Sequence, residues 1–514
     1  MKLSKLLALL LSLTLLLTVF ASCTGDGGDV IDDGGDRGED GSWDNVDFGG
    51  ETLRMAVSAN QENEVTFRAA DVYTKGPDAV TTDEVQKKVL ARNQRLEEML
   101  GLKVEYTTTD LGIYDVLADI EMRVRGAAED APDIYNNDLY GLARAMMQGY
   151  LWNVKNPGED ANGNTVKNYF DFSYDGWNYE YMKGCTFDQN KLYILAGDYF
   201  IDMIRMAWVF YVNVDIFNAN GTDLGYGDIN SFYGYVDSGI WDWDDLTYIS
   251  SRVWKDTGRE ISKDDACIGL VINHVSDHIF IASSGQTVFY QDENLNPCFI
   301  KDYGVFNEMA EKLRTIMSGD GATNAKTKTG KGILFERLVL SSTEYFFNGN
   351  VMFAASVLGE LESTTMRDVT FAKGLVPFPK WDEQRQEEYH TMVHNQGELG
   401  AILVNATSFG KASAFMQAAN EESRDVLHEY YEKGLKFKYS DDKGIRSMID
   451  LVYNTIDKPF GMELGRVTVE ELGMLWISLN DAAVGNTVAS TYGQEHIAYG
   501  NALKQVLEKF AKLD

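Results

Sequence analysis

The chain has 514 residues, of which 44% are hydrophobic and 24% are charged. This balance is typical of globular proteins, and the length allows two or more hydrophobic cores. The formal net charge is −33, from 46 Lys and Arg against 79 Asp and Glu, which repels phosphate backbones and argues against a nucleic-acid partner.

The first 22 residues have the pattern of a signal peptide. Lys2 and Lys5 precede an apolar run over Leu6–Leu17, which is shorter than the roughly 20 residues that a membrane span needs. The segment Phe20–Cys23 resembles the lipobox of bacterial lipoproteins, and this resemblance implies that Cys23 is lipidated. An ordinary signal peptide with a chance cysteine is the alternative.

Residues 23–47 are predicted to form a disordered tether. From Thr24 to Asp44 the chain is mostly Gly, Asp and polar residues, with Val30 and Ile31 as its only aliphatic side chains. Such a segment buries too little apolar surface to fold. No later apolar run is long enough to span a membrane, so the sequence predicts a body outside the cytoplasm, attached to the membrane only through lipid.

The folded body is predicted to begin with a strand, a helix and a second strand. Thr52–Val57 alternates apolar and polar residues, which favours a strand. Thr81–Glu84 has the pattern of a capping box, and Gly101 is placed to end the helix that follows. Leu102–Tyr106 alternates again and predicts the second strand.

A second helix is predicted from about Tyr114 to Gly126, and a short third strand over Asp130–Tyr135. Strands that alternate with helices predict a mostly parallel sheet, and ligands of such sheets bind beyond the carboxyl ends of the strands. Asn137, Asp138 and Tyr140 follow the third strand and are therefore candidate ligand-binding residues. The alternative is that the polar pair caps local backbone and that the tyrosine packs on a helix.

Several stretches of the chain match, in order, the motifs of a known family. They are Ala131–Ile134 with Met147–Leu151, Ala207–Phe217, Trp243–Leu246 after an Asp242 N-cap, Phe347–Phe353, Gly374–Lys380 and Gly400–Ala419. Together they resemble the extracellular solute-binding proteins of ABC importers, in the group related to maltose-binding protein. The order of the motifs behind a lipobox, rather than any single match, carries the resemblance.

The resemblance implies an α/β, periplasmic-binding-protein-like fold with two lobes, each a mostly parallel sheet flanked by helices, and a hinge between them. We expect lobe 1 to comprise residues 48–205 and 398–440, and lobe 2 to comprise residues 206–397 and 441–514. The implied function is to capture a solute by lobe closure and deliver it to ABC permease subunits. An oligosaccharide is the expected ligand, the protein is expected to be a monomer, and no catalysis, cofactor or metal is implied.

The remaining candidate ligand-binding residues are mostly aromatic, because aromatic rings stack on the apolar faces of sugars. Tyr199, Trp208 and Tyr211 flank the expected crossing between the lobes, and Trp476 lies on a late segment that resembles the aromatic region of the family's cleft. Ser356 is placed by resemblance alone. Packing in a hydrophobic core is the alternative for each aromatic residue.

Two pairs of histidines have a spacing that could bind a metal. His274 and His278, and also His390 and His394, are four residues apart and could share a helix face. Neither pair has the Glu and Gly context of a known zinc motif, so the sequence predicts no metal site.

Three cysteines follow Cys23, namely Cys185, Cys267 and Cys298, so at most one disulfide can form among them. The sequence leaves open whether Cys267 and Cys298 pair.

Two other functions are consistent with the same sequence features. An extracellular glycoside hydrolase would use two of the many carboxylates on either side of a glycosidic bond. A ligand-binding partner of a membrane sensor would share the fold and the cleft with an importer protein and would differ only in its membrane partner.

Overall fold

The structure is a computed structural model, and it describes thirteen ranges of the chain. They are residues 34–58, 71–112, 114–126, 130–159, 163–253, 268–273, 276–294, 297–317, 327–328, 333–336, 343–438, 443–456 and 488–513. The predictions made for the leader, Cys23, Cys267, His274 and Trp476 concern positions outside these ranges.

The described strands form two main sheets and a short hairpin. The strands are β1 (Glu51–Ser58), β2 (Leu102–Thr109), β3 (Ile134–Asp138), β4 (Trp208–Asn213), β5 (Ile268–Asn273), β6 (Phe289–Gln291), β7 (Pro297–Phe299), β8 (Thr327–Lys328), β9 (Ile333–Glu336), β10 (Val351–Val357), β11 (Lys373–Val376) and β12 (Glu398–Ile402).

The described helices flank these sheets. The α-helices are α1 (Asp71–Thr74), α2 (Glu84–Leu100), α3 (Val116–Arg125), α4 (Leu139–Met147), α5 (Tyr179–Lys183), α6 (Asp202–Arg205), α7 (Val214–Leu224), α8 (Ile229–Asp237), α9 (Trp243–Val253), α10 (Ser276–Ser283), α11 (Tyr303–Met317), α12 (Thr343–Phe347), α13 (Thr364–Asp368), α14 (Phe409–Glu421), α15 (Arg424–His428), α16 (Lys443–Asn454) and α17 (Val488–Phe510). A 3₁₀-helix spans Leu358–Glu362, and a π-helix spans Glu429–Lys438.

The first sheet has the strand order β12-β3-β1-β2. Strands β1, β2 and β3 are parallel, and β12 returns late in the sequence to pair antiparallel with β3. Residues such as Leu53, Val57 and Ile134 are fully buried on these strands. Strand β3 is buried at every residue, whereas the edge strand β2 alternates buried or half-buried residues with exposed ones. We call the domain around this sheet lobe 1.

The second sheet has the order β11-β4-β10-β5-β9-β8 and forms lobe 2. Strands β10, β5 and β9 are parallel, while β4 is antiparallel to both of its neighbours. Aromatic rings fill the core beside it: Phe210 stacks on Phe378 with ring centroids 4.3 Å apart, and Phe280 packs edge-on against Phe378 at 5.3 Å. The mostly parallel, helix-flanked architecture predicted for both lobes is present.

Two chain segments connect the lobes, and they run antiparallel next to each other. Ala207 forms a β-bridge with Val393, and the Trp208 N–H donates to the Met392 carbonyl at 2.9 Å. The two segments that connect the sheets, one before β4 and one before β12, are therefore hydrogen-bonded to each other. Such paired segments can absorb the backbone rotation of a hinge.

The lobe boundary that the sequence predicts around residue 440 lies outside the described residues, between the π-helix and α16. On its far side α16 packs against β11 and α8 of lobe 2. A π-helix of ten residues is unusual, since π-helices occur mostly as single-turn bulges.

Helix α2 begins later than the predicted capping box indicates. Asp83 is the N-cap, because its carboxylate accepts from the Gln86 N–H at 3.1 Å. The Thr81 hydroxyl instead accepts from the Asp83 N–H at 3.0 Å, one turn before the helix. Gly101 ends the helix in the left-handed conformation at φ 59°, as the sequence predicted.

The N-terminal segment 34–48 packs on lobe 1, although the sequence predicted a disordered tether over residues 23–47. Trp43 is 7% exposed, and its indole N–H donates to the Glu421 carboxylate on α14 at 2.8 Å. The Arg37 guanidinium lies 4.2 Å from the Trp43 ring and also pairs with Glu421 at 3.0 Å. The buried side chains of Trp43, Val46 and Phe48 and the shared Glu421 carboxylate thus fix a stretch whose composition predicted disorder.

The C-terminal helix α17 contacts both lobes. Near its start Tyr492 packs on Tyr303 of lobe 2 at 4.6 Å, and at its end Phe510 packs on Phe187 of lobe 1 at 5.3 Å. The sequence assigned residues 441–514 to lobe 2 alone. A helix of 23 residues is about 35 Å long, which is enough to reach across both lobes. Over the described ranges, no helix is both long and apolar enough to cross a membrane.

Candidate functional site

A group of ionisable and aromatic side chains lies between the two lobes. It is located beside the ends of strands β4 and β10 and the segments that connect the two sheets. We call this group the interlobe seam. Its members are Tyr73, Asp202, Arg205, Trp208, Glu360, Glu362, His394, Glu398 and Tyr430.

A buried ion pair lies at the centre of the seam. Arg205 and Asp202, both on α6, are 2% and 3% exposed, and Arg205 Nη1 lies 2.7 Å from Asp202 Oδ1. Arg205 Nε lies 3.5 Å from a Glu362 oxygen. Burial by itself would lower the pKa of Arg205, but the charges of Asp202 and Glu362 outweigh it and raise that pKa. Arg205 is therefore a permanent cation inside the protein.

Glycine is needed beside this pair. A Cβ at Gly359 would lie 2.7 Å from Arg205 Cγ and 3.0 Å from the Arg205 carbonyl oxygen. The missing side chain allows the turn after β10 to approach α6 closely, which brings Glu362 to the guanidinium.

Glu362 connects the two lobes. One of its oxygens accepts from the Tyr73 hydroxyl of lobe 1 at 2.6 Å, and the other accepts from the Tyr430 hydroxyl on the π-helix. The Tyr73 ring also lies 5.5 Å from the Arg205 guanidinium. Each hydrogen bond to a carboxylate is stronger than a neutral one, so these contacts hold the lobes together.

Glu398 makes the corresponding contacts on the lobe 1 side. It is 3% exposed, and its carboxylate accepts from the Ser58 N–H at the end of β1 at 3.1 Å and from the Thr74 hydroxyl. Its own N–H donates to Asp202 Oδ2 at 2.8 Å. The first residue of the returning strand β12 thus joins α1, β1 and the crossing helix α6.

Glu360 is the seam carboxylate with an unsatisfied oxygen. It is 1% exposed, and in the described part of the chain its Oε2 has no hydrogen-bond partner. Burial raises the pKa of Glu360 to about 7, an effect that side-chain hydrogen bonds from Ser363 and Ser356 partly offset. Glu360 can therefore exchange a proton near neutral pH.

Trp208 supplies an unsatisfied donor at the same end of the lobe 2 sheet. It pairs in register with Val357, three residues before Glu360. Its ring stacks on His394 with centroids 5.4 Å apart, and it is 5% exposed. Among the described residues no acceptor bonds its indole N–H. Buried polar groups are nearly always hydrogen-bonded, so the Trp208 indole N–H and the Glu360 oxygen are two exceptions to that rule among the described residues.

Two cavities adjoin the seam and the crossings. One of about 310 Å³ is lined by Tyr73 and Tyr430 together with the start of α2. The other, of about 210 Å³, lies behind the crossing segments and is lined by Asp198, Met203 and Tyr453 among others. Burial raises the pKa of Asp198 to about 6, although the charge of Arg424 lowers it in part.

The residues proposed beyond the third strand lie within it or next to it. Asn137 and Asp138 belong to β3, because β3 extends to Asp138 by pairing with β12. Both are 3% exposed: Asn137 contacts the Thr109 hydroxyl at 3.3 Å, and Asp138 caps α4 by accepting from the Gly141 N–H at 2.7 Å. Tyr140 packs edge-on against Tyr114 at 5.6 Å. Capping by Asp138 and packing by Tyr140 are the contacts expected under the alternative, in which these residues serve the local structure.

The remaining candidates divide between the cores and the seam. Tyr199 is fully buried in lobe 1, with the Arg92 guanidinium 4.5 Å from its ring. Tyr211 is fully buried in lobe 2 and donates to the Val357 carbonyl at 3.0 Å. Trp208 is a member of the seam, Ser356 is buried near the end of β10, and Trp476 lies outside the described residues.

Arg205, Glu360 and Glu362 were not among the ligand-binding residues predicted from the sequence. A signal for the two acids was available, because they follow directly after the buried strand β10, and charged residues just beyond a buried strand indicate a site at the sheet edge. Arg205 gave no such signal, since it becomes buried only when the two crossing segments pack together.

Within the described ranges, no three His, Cys, Asp or Glu side chains are arranged to hold a metal ion. His394 accepts from the Gln396 N–H through Nδ1 at 3.1 Å and stacks on Trp208. His390 does not lie beside His394: it lines a separate cavity, together with Gly285.

Neither a protein-family model nor the sequence of a curated protein matches this chain. Solved structures match its fold. The cyclic alpha-maltosyl-1,6-maltose binding protein of Arthrobacter globiformis is 12% identical, covering 89% of this chain and 100% of its own, with a TM-score of 0.54. The galacto-N-biose-/lacto-N-biose I-binding protein of the ABC transporter from Bifidobacterium longum is 11% identical, covering 89% and 98%, with a TM-score of 0.52.

The GacH receptor of Streptomyces glaucescens, solved without ligand and with acarbose, is 11% identical, covering 90% of this chain and 100% of its own, with a TM-score of 0.51. These similarities show that the chain has the two-lobed solute-binding fold, and the predicted fold class is confirmed.

Proposed function

We propose that the protein is a lipid-anchored solute-binding protein on the outer face of the cell membrane, which captures an oligosaccharide by lobe closure and delivers it to an ABC permease. The observation that carries the proposal is the seam. It places an unsatisfied indole N–H and an unsatisfied carboxylate oxygen beside aromatic rings, at the hinge of a two-lobed fold. Sugar sites combine aromatic faces with groups that bond hydroxyls in this way.

Lobe closure requires a ligand that contacts both lobes, because a ligand that binds both states equally shifts nothing. The seam meets this requirement. Tyr73 and Glu398 come from lobe 1, while Trp208 and Glu360 come from lobe 2. The three structural neighbours named above bind carbohydrates or related compounds according to their descriptions, which supports the same ligand class here.

The test is direct binding to the chain lacking residues 1–23. Isothermal titration with neutral di- and trisaccharides should give saturable, one-to-one binding at roughly micromolar Kd, which is about −8 kcal/mol. Binding of oligopeptides and of no sugar would keep the fold assignment and overturn the ligand class. Release of shorter sugars over time, abolished by Glu360→Gln, would replace the binding function with glycoside hydrolysis.

The membrane attachment needs its own test. The full-length chain should partition into detergent and carry an acyl modification, and Cys23→Ala should release it into the aqueous phase. An aqueous wild-type chain would refute lipidation and leave the binding function untouched. We also propose that the protein is a monomer, which light scattering checks.

A further inference from the structure

We propose that the chain has a second ligand site, in the cavity behind the segments that connect the two sheets, and that this site binds a small organic monocation with an apolar body. We call this space the rear cavity. Asp198 is the residue that recognises the positive charge. The site is separate from the seam, and it does not depend on the proposed function.

The rear cavity has a volume of about 210 Å³ and lies where three parts of the chain meet. Lobe 1 contributes residues of the loops 175–178 and 197–200, helix α6 contributes Met203 and Ile204, and α16, which packs on lobe 2, contributes Tyr453. Among the described residues, no member of the seam lines this cavity. A ligand bound here would therefore occupy a space of its own.

The two loops of lobe 1 are hydrogen-bonded to each other beside the carboxylate. Trp177 forms a β-bridge with Gly197, and the Asp198 N–H donates to the Gly176 carbonyl at 2.9 Å. A Cβ at Gly176 would lie 3.0 Å from Asp198 Oδ2, which is closer than ordinary contact. Glycine at this position keeps the carboxylate clear of a covering side chain, and the paired loops hold its backbone in place.

The carboxylate of Asp198 is half-buried, and among the described residues no side chain or backbone group forms a hydrogen bond or an ion pair with it. The neighbouring cation, Arg424, pairs with Asp175 and lies 5.0 Å from the Tyr174 ring. Burial raises the pKa of Asp198, and the charge of Arg424 offsets only part of this rise. Because Arg424 and Asp175 neutralise each other, Asp198 gives the rear cavity a net negative charge.

Most of the lining around this carboxylate is apolar or aromatic: Trp177, Phe200, Met203, Ile204, Leu427 and Tyr453. None of the described lining residues is Lys, Arg or His. A charge attracts its counter-ion more strongly in such surroundings than in water, and aromatic rings attract a cation that lies over their faces. The apolar lining also favours a ligand with an apolar body, which leaves water when it binds.

The composition of the lining disfavours other classes of ligand. An anion would meet the Asp198 carboxylate with no lining cation to offset it. A metal ion such as Ca²⁺ needs six to eight oxygen ligands, and the part of the chain that the structure describes holds no group of three metal-binding side chains. A neutral molecule would leave the charge of Asp198 without compensation.

The experiment compares cations with neutral molecules of similar shape. Choline and 3,3-dimethylbutan-1-ol differ only in the nitrogen or carbon at the branch point, and n-butylammonium and butan-1-ol form a second pair. Isothermal titration at pH 8.0, where Asp198 is ionised, measures the ratio of dissociation constants within each pair. It uses the same protein as the saccharide titration, as wild type, Asp198→Asn, Leu427→Trp and, as a matched control, Asp425→Asn at an exposed position of α15.

The wild-type protein should bind at least one of the two cations and prefer it to its neutral counterpart by about 10-fold or more. Asp198→Asn keeps the volume, removes the charge and should reduce the preference to about 2-fold or less. Leu427→Trp should fill part of the rear cavity and weaken cation binding by about 10-fold. Asp425→Asn should behave as wild type.

Failure of wild type to bind either cation, or equal binding of cation and alcohol, would overturn the inference and leave the proposed function standing. A preference that folded Asp198→Asn retains, or full affinity in folded Leu427→Trp, would place the cation elsewhere and overturn it as well. Absence of saccharide binding would overturn the proposed function alone. The wild-type comparison does not depend on the folding of any variant.

Discussion

Replacing Arg205 by methionine should destabilise the protein strongly. Methionine keeps much of the side-chain volume and removes the charge, so the substitution isolates the electrostatic role of the guanidinium. Asp202, 3% exposed, would lose its partner at 2.7 Å, and Glu362 would lose the cation at 3.5 Å.

Removing one partner of a buried ion pair typically costs about 3–5 kcal/mol, because the other charge remains buried without compensation. The lower end of this range applies here. Asp202 keeps the Glu398 N–H at 2.8 Å, and Glu362 keeps the hydroxyls of Tyr73 and Tyr430. We therefore expect the free energy of unfolding of Arg205→Met to fall by about 3 kcal/mol.

Urea unfolding at pH 7, followed by tryptophan fluorescence, measures this difference. The double variant Asp202→Asn/Arg205→Met is the matched comparison, and it should recover at least about 1 kcal/mol, because it removes the uncompensated carboxylate as well. A loss below about 1 kcal/mol for Arg205→Met would show that water reaches the pair and would refute the reasoning that the seam is a desolvated site.

Two further predictions concern stability. Burial raises the pKa of Asp198 to about 6, so the folded state binds the proton of this carboxyl group more tightly than the unfolded state does. The contribution of this proton to the free energy of unfolding is therefore present at low pH and is lost as the pH rises from about 4 to 6. The difference from the usual 3.8 corresponds to about 2–3 kcal/mol, and Asp198→Asn should flatten the pH profile of unfolding in that window; an unchanged profile would assign the dependence to another group. Gly269→Ala would place a Cβ 2.2 Å from the Ser250 carbonyl oxygen, and it should lower the free energy of unfolding by about 1–3 kcal/mol or more. Gly234→Ala on α8, where a Cβ would have no atom within 4 Å, should instead raise it by about 0.5–1 kcal/mol. Equal melting temperatures for the two variants would contradict the packing beside β5.

The sequence by itself determined the elements whose apolar periodicity is strong. Strand β1, helix α2 with its glycine stop and the Asp242 cap of α9 are all close to where the pattern placed them. Local hydrogen bonding and burial of one face decide such elements, and both are encoded in adjacent residues. The two-lobed fold was predicted through the resemblance of the ordered motifs to those of a known family.

Only the tertiary structure decided which polar residues meet at the seam. Asn137 and Asp138 follow a strand in the sequence, but pairing with β12, some 260 residues later, draws them into β3 and uses their side chains for packing and capping. Arg205 and Glu362 lie more than 150 residues apart, and they meet because α6 and the turn after β10 pack against each other. The character of the seam depends on such distant partners, since burial and a neighbouring charge, rather than residue type, determine whether a carboxylate is paired or left open for a ligand.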